Sequence, residues 1–437
     1  MTDCNQLVLR FPECKRKKVQ VSFDGGEVTG DGGLLLLRQA DRALGLTRAL
    51  ARSLNDRRRK KSCSHSQLSL LRQRIYAICQ GHEDLNDHDE LRADPALQTA
   101  AERDDELASA STLCRWENRA DREAALAMHE VLMEQFIASF SEPPEELILD
   151  FDATDDAVHG SQEGRFFHGY YYHYCFLPLY VFCGDRLLVA YLRPSKIDAS
   201  KHSWAVLSLL VKRLREVWPG VRIILRGDSS FCRRRIMSWC ERNGVSYVLG
   251  AARNARLTAL SRELTGEAQR RHKEEGRKQR LFGEVRYGAD SWGCKRRVVV
   301  KAEHTEKGPN PRYVVTNLDA PPQQVYDGYY CPRGEMENRI KEQQLYLFAD
   351  RTSCHRWWPN QFRLLLSSMA YALMEAIRRL ALAGTELSRA LVSTIRIKLL
   401  KVGGVVVRNT RRIRFHLSSS YPYKRLFIAV AQAFDTS

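Results

Sequence analysis

The chain of 437 residues contains no apolar run that approaches the ~18–20 residues a membrane span requires. Its opening stretch, MTDCNQLVLRFPECKRKK, lacks the apolar core of a secretory signal. A cytosolic protein without membrane partners is expected. There are 12 cysteines but no C-x-x-C pair. Two stretches hint at metal ligands, CSH (Cys63–His65) and HGYYYHYC (with His168, His173 and Cys175), yet neither has a second half at zinc-site spacing. Reduced, structural cysteines are expected. Internal repeats and low-complexity segments are also missing.

Acidic residues are scarce where basic ones gather. Net charge is +17, and residues 351–437 hold 15 Lys and Arg against 3 Asp and Glu. Further basic runs are RRRKK (Arg57–Lys61) and RRHKEEGRKQR (Arg270–Arg280). Positive charge concentrated in this way favours a polyanion, most often nucleic acid.

The length suggests two to four domains or subdomains, at roughly 100–200 residues each. After a glycine-rich, extended start, helical periodicity runs from Leu34 to about Phe140. In HSQLSLLRQRIYAICQG the helix is expected to close at Gly81. The period changes at PPEELILDFD. Leu147, Leu149 and Phe151 alternate with Ile148, Asp150 and Asp152, which predicts a strand. YCFLPLYVFCG and RLLVAYLRP predict two more. Helix HSWAVLSLLVKRLREVW, strand VRIILRGD, helix CRRRIMSWCERNG and strand VSYVLGA follow. Three strands and then alternating helix and strand predict a mixed-sheet α/β fold in the order of an RNase H-like core. A doubly wound nucleotide-binding domain would need a Gly-rich phosphate loop after its first strand, and DFDATDD is not one.

Four aspartates fall within Asp150–Asp156, directly after three aliphatic residues. Alternation places Asp150 and Asp152 on one face of the strand and does not choose between them. Asp228 follows Gly227 at the carboxyl end of another strand, where open α/β sheets place active sites. A strand-end aspartate is more often a turn or cap residue. Further on, Pro332 fits a first helical turn. From there Arg333, Glu337, Lys341 and Gln344 share one helix face. Tyr330 would join them only if the helix began earlier, a start that Pro332 argues against. That stripe reads equally as an exposed Glu337–Lys341 ion pair or as a metal-binding glutamate flanked by phosphate-holding cations. Mg²⁺ takes carboxylate oxygens from separate elements, and two such ions suit an in-line phosphoryl displacement.

Read together and in order, DAT (Asp152–Thr154), RGDSSF (Asp228) and YYCPRGEMENRIKE resemble the DDE transposases of bacterial insertion sequences, in the group-1 DDE domain with a Tyr–Arg–Glu–Lys signature. GHEDLNDHDELRADPALQ and NQFRLLLSSMAYAL extend the likeness to roughly residues 20–425. The resemblance implies an RNase H-like catalytic domain with an insertion before the glutamate. It implies two Mg²⁺ or Mn²⁺ ions held by Asp152, Asp228 and Glu337. It also implies cleavage of transposon ends, followed by attack of the 3′-hydroxyl on target DNA. Tyr330, Arg333 and Glu337 match the signature. Its lysine falls on Gln344, with Lys341 one turn earlier on the same face.

On this basis 1–140 is a mostly helical DNA-binding region and 141–252 with 313–383 the catalytic core. Residues 253–312 form a β-rich insertion, and 384–437 a basic, helical C-terminal region. SASTLCRWENR (Ser109–Arg119) resembles a recognition helix presenting Ser111, Thr112, Arg115 and Arg119, although an ordinary amphipathic helix fits as well. Arg57, Arg58 and Arg59 with the adjoining lysines suit phosphate contacts. Trp292 is expected to pack in the core rather than stack on an unpaired base. The expected partners are terminal inverted repeats, target DNA and a second copy of the chain in the DNA complex. The expected location is the bacterial nucleoid. The competing readings are a DNA-binding repressor without catalysis and a nuclease that cuts but does not join.

Overall fold

The alternation in LILDFDA is realised as a strand, β1 (Glu146–Ala153), with Leu147, Leu149 and Phe151 buried on one side. The structure is a computed structural model describing residues 8–59 and 63–435. The next long strands are β2 (Leu179–Cys183) and β3 (Arg186–Tyr191), each antiparallel to its predecessor. β4 (Arg222–Gly227) lies parallel to β1 on the other side, and β5 (Ser246–Ala251) lies parallel to β4. The spatial order is therefore β3-β2-β1-β4-β5, with β2 alone reversed. This is the RNase H-like mixed core that the sequence predicts.

The segment after β5 keeps building the same sheet. β6 (Gln279–Tyr287), β7 (Arg296–Thr305) and β8 (Arg312–Thr316) continue it in the order β6-β7-β8-β5, all antiparallel. Residues 253–312 are thus β-rich, and their strands join the central sheet.

The sheet is covered differently on its two faces. On the first, helices α1 (Arg122–Ala138), α2 (Ser203–Val217) and α3 (Arg234–Arg242) bring Phe136, Leu214 and Met237 onto Leu149, Phe151, Leu225 and Leu249. Asp121 caps α1 by accepting the Ala124 N–H at 2.9 Å. On the second face, Ile224, Val248, Val299 and Val314 pack against Val325 and Tyr326. Those two residues belong to a π-helical turn, Gln324–Tyr330, which leads through a 3₁₀ turn at Cys331–Arg333 into α4 (Gly334–Leu347). Helical backbone therefore starts well before Pro332. The proline, with no N–H, falls in the 3₁₀ junction where the hydrogen-bond register changes. Pro332 consequently does not exclude Tyr330 from the site.

The described chain forms two compact units, one of residues 120–345 and 349–368 and the other of the remainder. In the second, helix Gln67–Gln80 closes at left-handed Gly81, as its sequence predicts, and is capped at its start by Ser66. It is buried nearly all round despite its arginines. Arg72 pairs with Glu102 at 2.7 Å, and Arg74 with Glu117 at 2.8 Å. Paired and hydrogen-bonded charge is the form in which burial is tolerated. Strands Glu27–Thr29, Gly404–Asn409 and Arg412–Leu417 form a small sheet, and a helix, Lys424–Ala433, follows them. Among the described residues no helix is long and apolar enough to cross a membrane.

Candidate active site

The parallel pairing of β1 with β4 aligns Phe151 with Gly227, so the next residues, Asp152 and Asp228, leave neighbouring strand ends together. Asp152 accepts the Ala153 N–H at 2.9 Å. Burial pushes its carboxyl up to about 7, with Asp228 and Glu337 adding to the rise and Arg333 opposing it. Asp228 caps the 3₁₀ turn Ser229–Phe231, accepting the Ser230 N–H at 2.9 Å and its hydroxyl at 3.3 Å. It is thus both a cap and a member of the acid group.

Glu337 lies in the first turn of α4, and its carboxylate meets the Arg333 guanidinium at 2.8 Å. Burial works against the charge on Arg333. Asp152, Tyr330, Glu337 and Asp228 more than offset this and hold it protonated above its usual value. One guanidinium therefore stands in the field of all three acids. The Tyr330 phenol is raised chiefly by burial, with Asp228 adding to the rise and Arg333 opposing it.

Two supports under this group are not obvious from sequence. The first is Gly250 on β5. A Cβ there would lie 2.6 Å from the Tyr330 hydroxyl and 3.1 Å from the Ser229 nitrogen. A lone glycine inside a strand signals such a close approach, so VLGA did hold the clue. The second is Arg226 on β4, which donates to both carboxylate oxygens of Asp150, with Nη2–Oδ2 at 2.6 Å. It also donates through Nη1 to the Tyr329 carbonyl at 2.7 Å. Asp150, only 2% exposed, is thereby tied to the π-helical turn next to Tyr330. Strand periodicity left Asp150 and Asp152 equivalent. Their partners separate them.

Lys341 is exposed on α4, whereas Gln344 donates to the Asp155 carbonyl at 3.0 Å, anchoring the helix to the chain just past β1. Arg57 and Arg59 are exposed. Arg58 is held by Asp56 through two donors at 2.7 and 2.8 Å and by the His65 carbonyl. Lys60 and Lys61 lie outside the described residues. Arg115 is exposed on helix Ala110–Glu117 and donates to Thr112 Oγ1 at 3.3 Å. Ser111 and Arg119 are exposed as well, while Leu113, Trp116 and Glu117 turn inward. Trp292 packs against the core beside Tyr287, with Arg296 over its ring.

As ligands, the three acids supply only carboxylate oxygens from separate elements, a set suited to a hard divalent cation. Among the described residues no three His, Cys, Asp or Glu side chains are gathered as ligands. The acids are instead coupled through Arg333.

The sheet thus places acids at the ends of β1 and β4 and on helix α4. The transposase DDE domain group 1 family matches residues 11–437, and the chain belongs to that family. No curated protein matches it in sequence. A solved structure, the piggyBac transposase synaptic complex with hairpin DNA, is similar with a TM-score of 0.43 and 10% identity over 84% of this chain and 80% of that one. That likeness is too remote to define a site.

Proposed function

We propose that this chain is a transposase that binds the terminal inverted repeats of an insertion sequence, cleaves their phosphodiester bonds and joins the 3′-hydroxyl ends to target DNA. The observation that carries this reading is the convergence of Asp152, Asp228 and Glu337 on Arg333 at the carboxyl ends of β1 and β4. Asp152, Asp228 and Glu337 would hold two Mg²⁺ or Mn²⁺ ions. Divalent ions bound there supply charge for the attacking and leaving oxygens of an in-line displacement.

The remaining work falls to the chain's own side chains. Arg333, released from Glu337, offers its forked donors to a phosphate, a bidentate geometry that Lys cannot reproduce. Tyr330 stands beside that guanidinium and acts on its charge. Gly250 and the Asp150–Arg226 pair fix where Tyr330 and the helix start sit. Lys341 adds a point charge along the backbone. Exposed Arg57, Arg59 and Arg115 suit phosphate and groove contacts to the terminal repeats. Arg58, already engaged by Asp56, serves the local fold first. The active form on DNA is a homodimer, working at the nucleoid.

End-cleavage and strand-transfer assays with Mg²⁺, on DNA taken from the borders of the coding region, test the proposal. Cleavage followed by joining is expected. Cleavage without joining would leave a nuclease, and binding without cleavage a repressor.

A further inference from the structure

Four residues beyond Asp152 the chain enters a small three-stranded sheet, Asp156–Ala157, His173–Phe176 and Phe166–His168. The last two strands form a hairpin whose tip is Gly169–Tyr170–Tyr171–Tyr172, closed by the Tyr172 N–H to the His168 carbonyl at 2.8 Å. The side chains at its tip face away from the core. Tyr170 is 80% and Tyr172 82% exposed, with Phe167 and Tyr174 about half exposed beneath them. So much aromatic surface, gathered in one place and facing water, marks an interaction site. Tyr172 has φ of 58°, a left-handed conformation unfavourable for a bulky side chain. The turn keeps this strain at the residue it exposes most.

Cations alternate with the rings. Arg165 lies 4.5 Å over Tyr174, and Lys196 lies 4.4 Å over the Phe166 ring. Exposed rings interleaved with positive charge suit a polyanion that also carries flat, apolar faces, which describes a nucleic-acid strand with unpaired bases. A protein partner would account for the rings but not for the cations among them. The hairpin is also tied to the acids. His173 Nε2 lies 2.9 Å from Asp155 Oδ2, and both Asp155 and Asp152 act on the half-buried Tyr171 phenol.

Resting on the transposase reading, we infer that the hairpin Phe166–Phe176 is a stacking platform for unpaired bases of the DNA strand whose phosphate lies at Asp152. Tyr170 and Tyr172 supply ring faces, and Arg165 and Lys196 take the flanking phosphates. Breaking a strand beside the acids frays the duplex there, and the platform captures the bases so released. Stacking recognises every base, so the contact adds no sequence preference.

The test uses a short mixed-sequence duplex, blunt or with an unpaired tail carrying 2-aminopurine. The full-length protein is expected to bind the tailed duplex about tenfold more tightly than the blunt one, as stacking of one or two bases provides, and to quench the 2-aminopurine. Tyr170→Ala/Tyr172→Ala should bind the blunt duplex unchanged and lose both the preference and the quenching. Tyr170→Trp/Tyr172→Trp should keep both. Equal binding of the two duplexes by the unaltered protein, or an unaffected double-alanine variant, overturns the platform while the transposase reading stands. Failure of the unaltered protein to bind either duplex defeats both. If the double-alanine variant changes only the sedimenting mass of the DNA-free protein, the hairpin is a protein contact and the platform is overturned.

Discussion

On one face of the central sheet Leu149, Phe151, Leu225 and Leu249 are all at 1% exposure or less and pack in an apolar cluster with side chains of the covering helices. On the other face the same strands carry Asp150, Asp152 and Arg226, and β7 adds Lys301 and Glu303. Successive side chains of a strand point to opposite faces, so one backbone serves both purposes at once. The apolar face gains free energy by removing area from water, at roughly 25 cal/mol per Å². The charged face pays the cost of burying ions and recovers it only through specific partners. Substitutions on the two faces should therefore fail in different ways.

The largest separation is expected between Leu149 and the acids. Leu149→Ala should lower stability by about 2–5 kcal/mol through the cavity it leaves, with cleavage per folded molecule near normal. Asp152→Ala, Asp228→Ala and Glu337→Ala should each cut cleavage by on the order of 10³ or more while leaving DNA-end binding intact and causing no loss of melting temperature. Chemical denaturation beside the cleavage assay reads both. Near-normal cleavage by any one acid variant removes that residue from the site.

Asp150 sharpens the contrast, because it shares a face with Asp152 and belongs with neither group. Removing it strands a buried guanidinium, so Asp150→Ala should cost about 3–5 kcal/mol of stability. Arg226→Met/Asp150→Leu should recover part of that loss, because the unpaired charge leaves with its partner. If Asp150→Ala instead leaves stability intact and abolishes cleavage, the assignment of the two aspartates is reversed.

Gly250→Ala should cost cleavage up to about 10²-fold with little loss of stability. Its Cβ displaces the tip of Tyr330 and presses on the Asp228–Ser229 backbone, and misplacements near 1 Å at a site have such effects. Wild-type rates in Gly250→Ala would show that the Tyr330 position does not matter.

The comparison also explains what was legible in the sequence. Periodicity reports which residues lie inward, so the strands, their order and the apolar face could be read from LILDFDA, VRIILRGD and VSYVLGA. It carries no information on partners, so it could not rank Asp150 against Asp152. The three candidate acids were singled out through DAT, RGDSSF and the Tyr–Arg–Glu pattern, which belong to a family resemblance rather than to hydrophobic pattern. Pro332 misled about Tyr330 because a π-helical turn has no strong local signature. The Arg226–Tyr329 link joins residues about a hundred positions apart, a contact no local rule predicts.

Protons should distinguish the charged face by the sign of their effect. Asp152 has its carboxyl raised to about 7, so the stability it contributes is complete below its unfolded value of 3.8 and is lost as pH rises through 7. Glu303 runs the other way. Burial opposes its charge, but Lys278, Lys301 and Asn310 hold it down to about 2, so its contribution is present above 4.5 and lost as pH falls towards 2. Without divalent ions, melting temperature should decline from acid to neutral pH, and Asp152→Asn should flatten that limb. Glu303→Gln should flatten only the acid limb. Mg²⁺ should raise the melting temperature more above pH 7 than below it, because ligands must be deprotonated to bind. An Asp152→Asn titration indistinguishable from wild type would show that this carboxyl is not buried as described.

The smallest effects are expected where α4 turns from the acids towards solvent. Gln344 stands at the signature lysine's position but donates to the Asp155 carbonyl, whereas Lys341 is exposed. If Lys341 is the phosphate contact, Lys341→Ala should weaken DNA binding uniformly across sequences and reduce the slope of log affinity against log salt by about one. Gln344→Lys should leave that slope unchanged, because its side chain points into a loop contact. Gln344→Ala should instead loosen the loop after β1 and appear as a modest fall in stability, about 1 kcal/mol for one lost hydrogen bond. A salt slope that responds at 344 and not at 341 would return the lysine role to the position where the family pattern puts it.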